Sequence, residues 1–142
     1  MRKLFPLLLL LAACQPKPAE EKAAPAALAP AARVSDFSQP MTARGNEPFW
    51  AVTIEGVTLT LKRPDRPDLV ATAPGAAIEP GQATWVAKSA DGQQLTVTLR
   101  LSECSDGMSD LKYPMAAEVA LLNETLHGCA AKTADLPRAG AG

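Results

Sequence analysis

The sequence predicts an all-β domain, a small antiparallel barrel or sandwich of six to eight strands that carries one disulfide. Two observations support the fold class. Apolar and polar residues alternate with a period of two across much of the region 42–131, and turn-forming pairs interrupt the alternation at short intervals. A pair of cysteines within the same region supports the disulfide.

The alternating residues divide into consecutive strands separated by turns. The turn signals are Glu55-Gly56, Asp91-Gly92 and Asn123-Glu124. The apolar positions that alternate around them are Trp50, Val52, Ile54, Val57, Leu59, Leu61, Leu95, Val97, Leu99, Leu101, Ala117, Val119, Leu121 and Leu126. Trp85 and Val86 open a further strand before Asp91. Residues 64–81 contain four prolines and are predicted to be loop or edge strand.

The amino terminus has the layout of a signal peptide. Arg2 and Lys3 precede a short apolar run that ends in small residues, and this run is far below the roughly 20 residues of a membrane-spanning helix. Leu11-Ala12-Ala13-Cys14 resembles the lipobox of bacterial lipoproteins, which implies a diacylglyceryl group on Cys14 and a membrane anchor. In enteric-type lipoproteins, an Asp after the lipidated cysteine resembles a signal for retention in the inner membrane. This chain has Gln15 at that position, which favours the periplasmic face of the outer membrane. The alternative is an ordinary secretory signal with an accidental cysteine.

These features divide the chain into four parts. Residues 1–13 are the predicted signal peptide, and residues 14–41 are a lipidated cysteine followed by an Ala/Pro-rich disordered tether. The β domain is predicted over residues 42–131, and residues 132–142 form a disordered tail.

The remaining cysteines, Cys104 and Cys129, are predicted to form the disulfide, since Cys14 is assigned to lipid and the compartment is oxidising. Their separation excludes a Cys-x-x-Cys redox motif. Because the chain has one histidine, a Cys/His zinc site is not expected, and we predict no metal or other cofactor.

Charge and motif content exclude several classes of function. The formal net charge is -1 with a pI of about 5.8, unlike the basic surface of a nucleic-acid-binding protein. The common signatures of hydrolases, phosphate-binding loops and dinucleotide sites do not occur, so we predict a protein that is not an enzyme. A hydrolase that pairs Glu47 with Asp106 or Asp110 stays open as an alternative.

Three segments are more distinctive than a sheet requires: residues 44–50 (RGNEPFW), residues 104–114 (CSDGMSDLKYP) and residues 126–130 (LHGCA). They resemble a family of small, functionally uncharacterised proteobacterial lipoproteins and periplasmic domains marked by GNEPFW and CSDGMSD motifs. More distantly, the chain is similar to lysozyme-inhibitor and META-type envelope domains. The resemblance spans nearly the whole predicted domain and implies an envelope protein without an agreed activity.

The two longer motifs supply the candidate partner-binding residues: Arg44, Asn46, Glu47, Asp106, Met108, Asp110, Lys112 and Tyr113. Asp106-Gly107 is also typical of a turn, so the second motif has a structural interpretation, which we favour, beside one in which Asp106 and Asp110 bind a cation or a basic partner. Glu47 either faces a partner or pairs with Arg44. Trp50 and Trp85 are predicted core residues and His127 a surface strand residue.

The sequence therefore predicts a lipid-anchored envelope protein with a non-enzymatic binding domain for a periplasmic or envelope protein. One alternative is a lysozyme inhibitor, although an acidic loop suits a carboxylate-lined cleft poorly except through Lys112 or Arg44. Another alternative is a carrier of a small apolar ligand, although a barrel of this size is usually filled by its own side chains.

Overall fold

The computed structural model describes residues 35–138, which fold into nine antiparallel strands. The strands are β1 (Met41–Asn46), β2 (Phe49–Glu55), β3 (Thr58–Arg63), β4 (Arg66–Thr72), β5 (Ala76–Glu79), β6 (Gln82–Ser89), β7 (Gln94–Ser105), β8 (Lys112–Leu121) and β9 (Glu124–Lys132). The predicted signal peptide, Cys14, most of the predicted tether and the end of the predicted tail lie outside the described residues.

Eight of the strands close into a barrel. Their order is β4-β3-β2-β1-β9-β8-β7-β6, and a short pairing between β4 and β6 completes the ring. The remaining strand, β5, is a short extension of the sheet. Among the described residues it pairs only with β6. The predicted antiparallel fold with one disulfide is confirmed, and of the two predicted architectures it is the barrel.

The alternating apolar residues point into the barrel and fill it. Trp50 and Trp85 are 3% and 2% exposed, as predicted for core residues. The other fully buried side chains of the core include Val52, Leu59, Leu95, Val97, Leu99, Met115 and Val119. The prediction for Val57 is wrong, because Gly56 takes a positive φ of 61° and the β2–β3 turn leaves Val57 47% exposed.

The proline-rich stretch between residues 64 and 81 contains two strands. β4 carries Pro67 and is mostly exposed, and β5 follows it as an outer strand, which agrees with the edge-strand interpretation. The loop interpretation therefore holds only for the short connections around these strands.

Residues that pack on the barrel occur before residue 42, the predicted start of the β domain. A 3₁₀ turn at Ser35–Ser38 places Phe37, which is 6% exposed, edge-on to Trp85 at a ring-centroid distance of 6.5 Å. At the other end, a 3₁₀ turn follows β9, and the Thr133 amide donates a hydrogen bond to the Pro40 carbonyl at 2.9 Å. The segment before β1 and the segment after β9 are therefore joined next to the β1–β9 pairing. No helix within residues 35–138 is long and apolar enough to cross a membrane.

Candidate functional site

The two sequence motifs meet on the outside of the barrel. The side chain of Asn46, at the end of β1, donates a hydrogen bond from Nδ2 to the Asp106 carbonyl in the β7–β8 loop at 3.3 Å. These residues are 60 positions apart in the chain. The contact joins the β1–β2 turn, which holds Glu47, to the loop that holds Met108.

The β7–β8 hairpin reaches this position because its end folds back over β9. A register shift between Leu101 and Cys104 interrupts the pairing of β7 with β8. Beyond it, the Cys104–Cys129 disulfide ties the hairpin to the outer face of β9. A second small core forms there from Tyr113, Cys129 and Ala131, packed against Leu111 and Leu136.

Asp106 organises the loop between the two strands. Its Oδ1 accepts hydrogen bonds from the Met108 amide at 3.0 Å and the Ser109 amide at 2.8 Å, and its Oδ2 accepts one from the Ser109 hydroxyl at 2.7 Å. These bonds, first that from the Ser109 side chain, lower the pKa of Asp106 below its ordinary value of 3.8. Since both carboxylate oxygens bond to the loop itself, the structural interpretation of this motif is supported. Within residues 35–138, no three His, Cys, Asp or Glu side chains form a group able to hold a metal ion.

A hollow of about 440 Å³ lies where the two motifs meet. Its walls come from the β1–β2 turn, the β7–β8 loop and β9, and they include Arg44, Asn46, Glu47, Asp106, Met108 and His127. Met108 is 67% exposed at its edge, and the His127 side chain is 72% exposed, in agreement with the prediction of a surface residue. The sequence-predicted candidates of the first motif therefore stand beside two of those from the second.

A second hollow, of about 610 Å³, adjoins the first. It shares Arg44 and Asn46 with the first hollow and extends over Phe49 and Lys62. Phe49 is 60% exposed although it is aromatic and lies in a strand. We call the combined surface of the two hollows the motif face.

The backbone beneath the motif face is packed closely against Trp50. A Cβ placed on Gly45 would lie 2.2 Å from Trp50 Nε1, and one on Gly128 would lie 2.1 Å from the Arg44 carbonyl oxygen. Only glycine fits at these two positions, because nothing larger leaves room for the indole ring or for the neighbouring strand. Trp50 Nε1 is buried and has no hydrogen-bond partner among the described residues.

Three of the predicted partner-binding residues lie elsewhere. Asp110 does not line the first hollow, and Lys112 is exposed and pairs with Glu103 at 3.4 Å. Tyr113 is 2% exposed, so its place in the small core supports the loop from beneath and does not present a surface. Glu47 is exposed, and no ion pair within 4.0 Å joins it to Arg44 in the described part of the chain.

Sequence reasoning missed the exposure of Phe49 and the roles of Gly45 and Gly128. For Phe49 the signal was available, because a residue next to an inward-facing Trp50 in a strand points outward. For the glycines, the signal was their position within strands, where glycine often marks a close approach of backbone.

The fold and this surface together define a class: a small, disulfide-linked antiparallel β-barrel with a two-motif face on its outer wall. No family model, curated protein or solved structure matches the chain.

Proposed function

We propose that this chain is a lipid-anchored envelope protein whose barrel binds a periplasmic or envelope protein partner through the motif face. One observation carries the proposal: the Asn46–Asp106 contact joins two distant motifs into one surface. The exposed residues of the two motifs are not needed to complete the barrel, since the β1–β2 turn and the β7–β8 loop both lie beyond its core.

The composition of the motif face suits a protein partner. Phe49 and Met108 are exposed apolar side chains, one in each of the two hollows that share Asn46, and such residues often anchor interfaces. Arg44, Glu47 and Asp106 supply charges of both signs between them. The disulfide and the Asp106 hydrogen bonds hold the loop in place, which lowers the entropy cost of binding.

Site-specific photocrosslinking in cells tests the proposal. A photoreactive amino acid replaces Met108 or Phe49, and the matched control replaces Val86, an apolar residue that is 48% exposed elsewhere on the barrel wall. We expect one adduct of the same mass from both positions on the motif face and none from Val86. Adducts that are equal at all three positions, or absent from Met108 and Phe49, contradict the proposal.

A second variant ties the adduct to the geometry. Asn46→Ala removes the hydrogen bond to the loop carbonyl while the disulfide still holds the hairpin, so we expect a weaker adduct at Met108. A lysozyme assay with the purified domain tests the alternative that the protein is a lysozyme inhibitor. Inhibition at micromolar protein would identify lysozyme itself as the partner.

The anchor is tested separately. Cys14→Ala is expected to abolish lipidation and to move the protein from the detergent phase to the aqueous phase. Unchanged processing and partitioning would contradict the lipoprotein assignment, and density fractionation of the membranes tests the outer-membrane location.

A further inference from the structure

A cleft that adjoins the larger hollow of the motif face has the features of a second binding site. The barrel closes through only two residue pairs between β4 and β6, Ala71 with Ser89 and Thr72 with Lys88. The rest of β4, residues 66–70, pairs only with β3 in the described part of the chain. As far as the described residues go, one backbone edge of this strand is therefore open.

A cavity of about 440 Å³ lies beside that open edge. It is bounded by the start of β4, the β6–β7 turn and the β8–β9 turn. Its apolar walls are Leu61, Leu69 and Leu121, which pack onto the barrel core. Leu122 stands on the rim and is 87% exposed, where a hairpin turn ordinarily carries a polar residue.

A buried arginine lines this cavity. The Arg63 side chain is 6% exposed, and its Nη2 donates a hydrogen bond to Glu124 Oε2 at 2.6 Å. Its Nε is buried and has no hydrogen-bond partner among residues 35–138. A buried donor is costly to leave unpaired. A ligand carbonyl reaches this atom only if the Arg63 side chain moves, and the new hydrogen bond then offsets that cost.

The charges around the cavity are matched within the protein. Arg63 pairs with Glu124, Arg66 with Asp65 at 3.4 Å, and Lys62 with Asp68 at 3.7 Å. Asp91, in the β6–β7 turn, bonds to the Ser89 hydroxyl. Among residues 35–138, no unmatched cation lines the cavity to attract an anion, and the complementary ligand is uncharged.

We propose that this cleft binds an uncharged, extended peptide segment that adds to the open edge of β4 and places an aliphatic side chain against the leucines. An extended peptide suits all three features of the cleft. Its backbone groups pair with the open edge of β4, its carbonyls accept hydrogen bonds from Arg63, and its side chain fills the apolar cavity. Pro67 lacks an N–H and shortens the pairing, which favours a short ligand over an added full strand.

The probe is the capped pentapeptide acetyl-Thr-Leu-Thr-Leu-Thr-amide, titrated into the isotope-labelled domain and followed by NMR. We expect saturable shifts in the amides of residues 66–70 and 121–124. The control peptide has proline at its central position, which removes one donor and disfavours pairing. Its binding is expected to be at least about tenfold weaker.

Two variants and one control locate the site on the protein. Leu122→Ser alters an exposed side chain that the fold does not need, and we expect about fivefold weaker binding. The double variant Arg63→Met with Glu124→Leu removes the ion pair without leaving a buried charge, and we expect a similar loss. Val86→Ser changes an exposed apolar residue outside the cleft and is expected to bind as the unmodified protein does.

Three outcomes overturn the proposal: no saturable shift at millimolar peptide, equal binding of the proline peptide, or equal binding by the Leu122→Ser variant. Dodecanoate serves as the competing probe. If it occupies the cleft more tightly than the peptide does, the site is for a small amphiphile and not for a strand. The cleft shares Arg63 and Asp68 with the larger hollow of the motif face, but Leu122 lines only the cleft and Met108 only the motif face. The Leu122→Ser titration and the Met108 crosslink can therefore fail independently.

Discussion

At the residue scale, the backbone contacts of Gly128 set how closely β9 approaches β1. Its position allows no side chain, because a Cβ there would lie 2.1 Å from a backbone oxygen of Arg44 and 2.9 Å from the Trp50 ring. The obstruction from the backbone oxygen cannot be relieved by a change of rotamer. A side chain at this position must therefore displace a strand or the indole ring.

We expect Gly128→Ala to lower the free energy of unfolding by about 2–4 kcal/mol, since overpacking in a closed core forces the backbone to shift. Chemical denaturation followed by Trp fluorescence measures the change. Thr125→Ala, at an exposed position on the same strand, is the control and is expected to stay within about 0.5 kcal/mol. A Gly128→Ala protein as stable as that control would show that β9 and β1 are not in close contact.

Asp106 gives a prediction about pH. Hydrogen bonds from Ser109 and Met108 stabilise its charged form, so the folded-state pKa is below the ordinary value of 3.8. A carboxyl group with a depressed pKa stabilises the fold above its unfolded-state pKa. That contribution is lost as the pH falls through the folded-state value.

Asp106→Asn is therefore expected to be less stable than the unmodified protein at neutral pH and to approach it as the pH falls below about 3.8. Unfolding at a series of pH values measures the difference. Asp91, whose pKa is also lowered, first by the Ser89 hydroxyl, is unchanged in both proteins and contributes equally to both. A stability difference that is constant with pH would contradict the assigned cause.

At the scale of elements, the folded-back end of the β7–β8 hairpin is the feature that makes the motif face. It lies over β9 because the disulfide and a small cluster of buried residues hold it there. The barrel core contains neither cysteine. Loop position and barrel stability should therefore respond differently when the disulfide is removed.

We expect the double variant Cys104→Ala with Cys129→Ala to lose about 3–4 kcal/mol of stability in the chain-entropy model, for a separation of 25 residues. Amide hydrogen exchange is expected to rise most in residues 105–112, while the central residues of β7 and β8 stay protected. Equal loss of protection across the whole barrel would show that the disulfide supports the core and not only the hairpin.

At the scale of the whole molecule, the sequence predicted β2, β3, β7, β8 and β9 because apolar and polar residues alternate along them, but not β1, whose residues after Met41 are small or polar. It could not predict the choice between barrel and sandwich, since ring closure depends on the pairing of β4 with β6, which are separated along the chain by β5. It also placed the start of the domain too late. Phe37 is a single apolar residue in a tether-like composition, and only its contact with Trp85 shows that it belongs to the core.

The candidate site was predictable only in part for a similar reason. The motif sequences identify unusual segments, yet the Asn46–Asp106 contact depends on a register shift and a folded-back hairpin that no local pattern encodes. Tyr113 shows the consequence. In the sequence it is a polar aromatic residue within a distinctive motif, which suggests a binding surface. In the fold it is buried beneath the loop of that motif.

The closure of the barrel gives the last prediction. The β4–β6 seam has two residue pairs, whereas β7 and β8 share eight. Opening a seam with few pairs exposes less buried surface and breaks fewer hydrogen bonds, so local opening there should cost less than opening elsewhere in the ring. We expect amide exchange in residues 71–72 and 88–89 to be faster than in the centre of the β7–β8 pair.

A disulfide introduced between β4 and β6 tests whether their short pairing causes the faster amide exchange. Thr72 and Lys88 are directly paired, exposed residues on adjacent antiparallel strands, a spacing that accommodates a disulfide. The variant Thr72→Cys with Lys88→Cys, once oxidised, is expected to slow exchange along β4 and β6 and to leave the centre of the β7–β8 pair unchanged. Reduction of this introduced, solvent-exposed disulfide should restore fast exchange along β4 and β6. If the seam amides of the unmodified protein are already as protected as those of β7 and β8, then two residue pairs are enough to hold the ring closed, and the weak point of the barrel lies elsewhere.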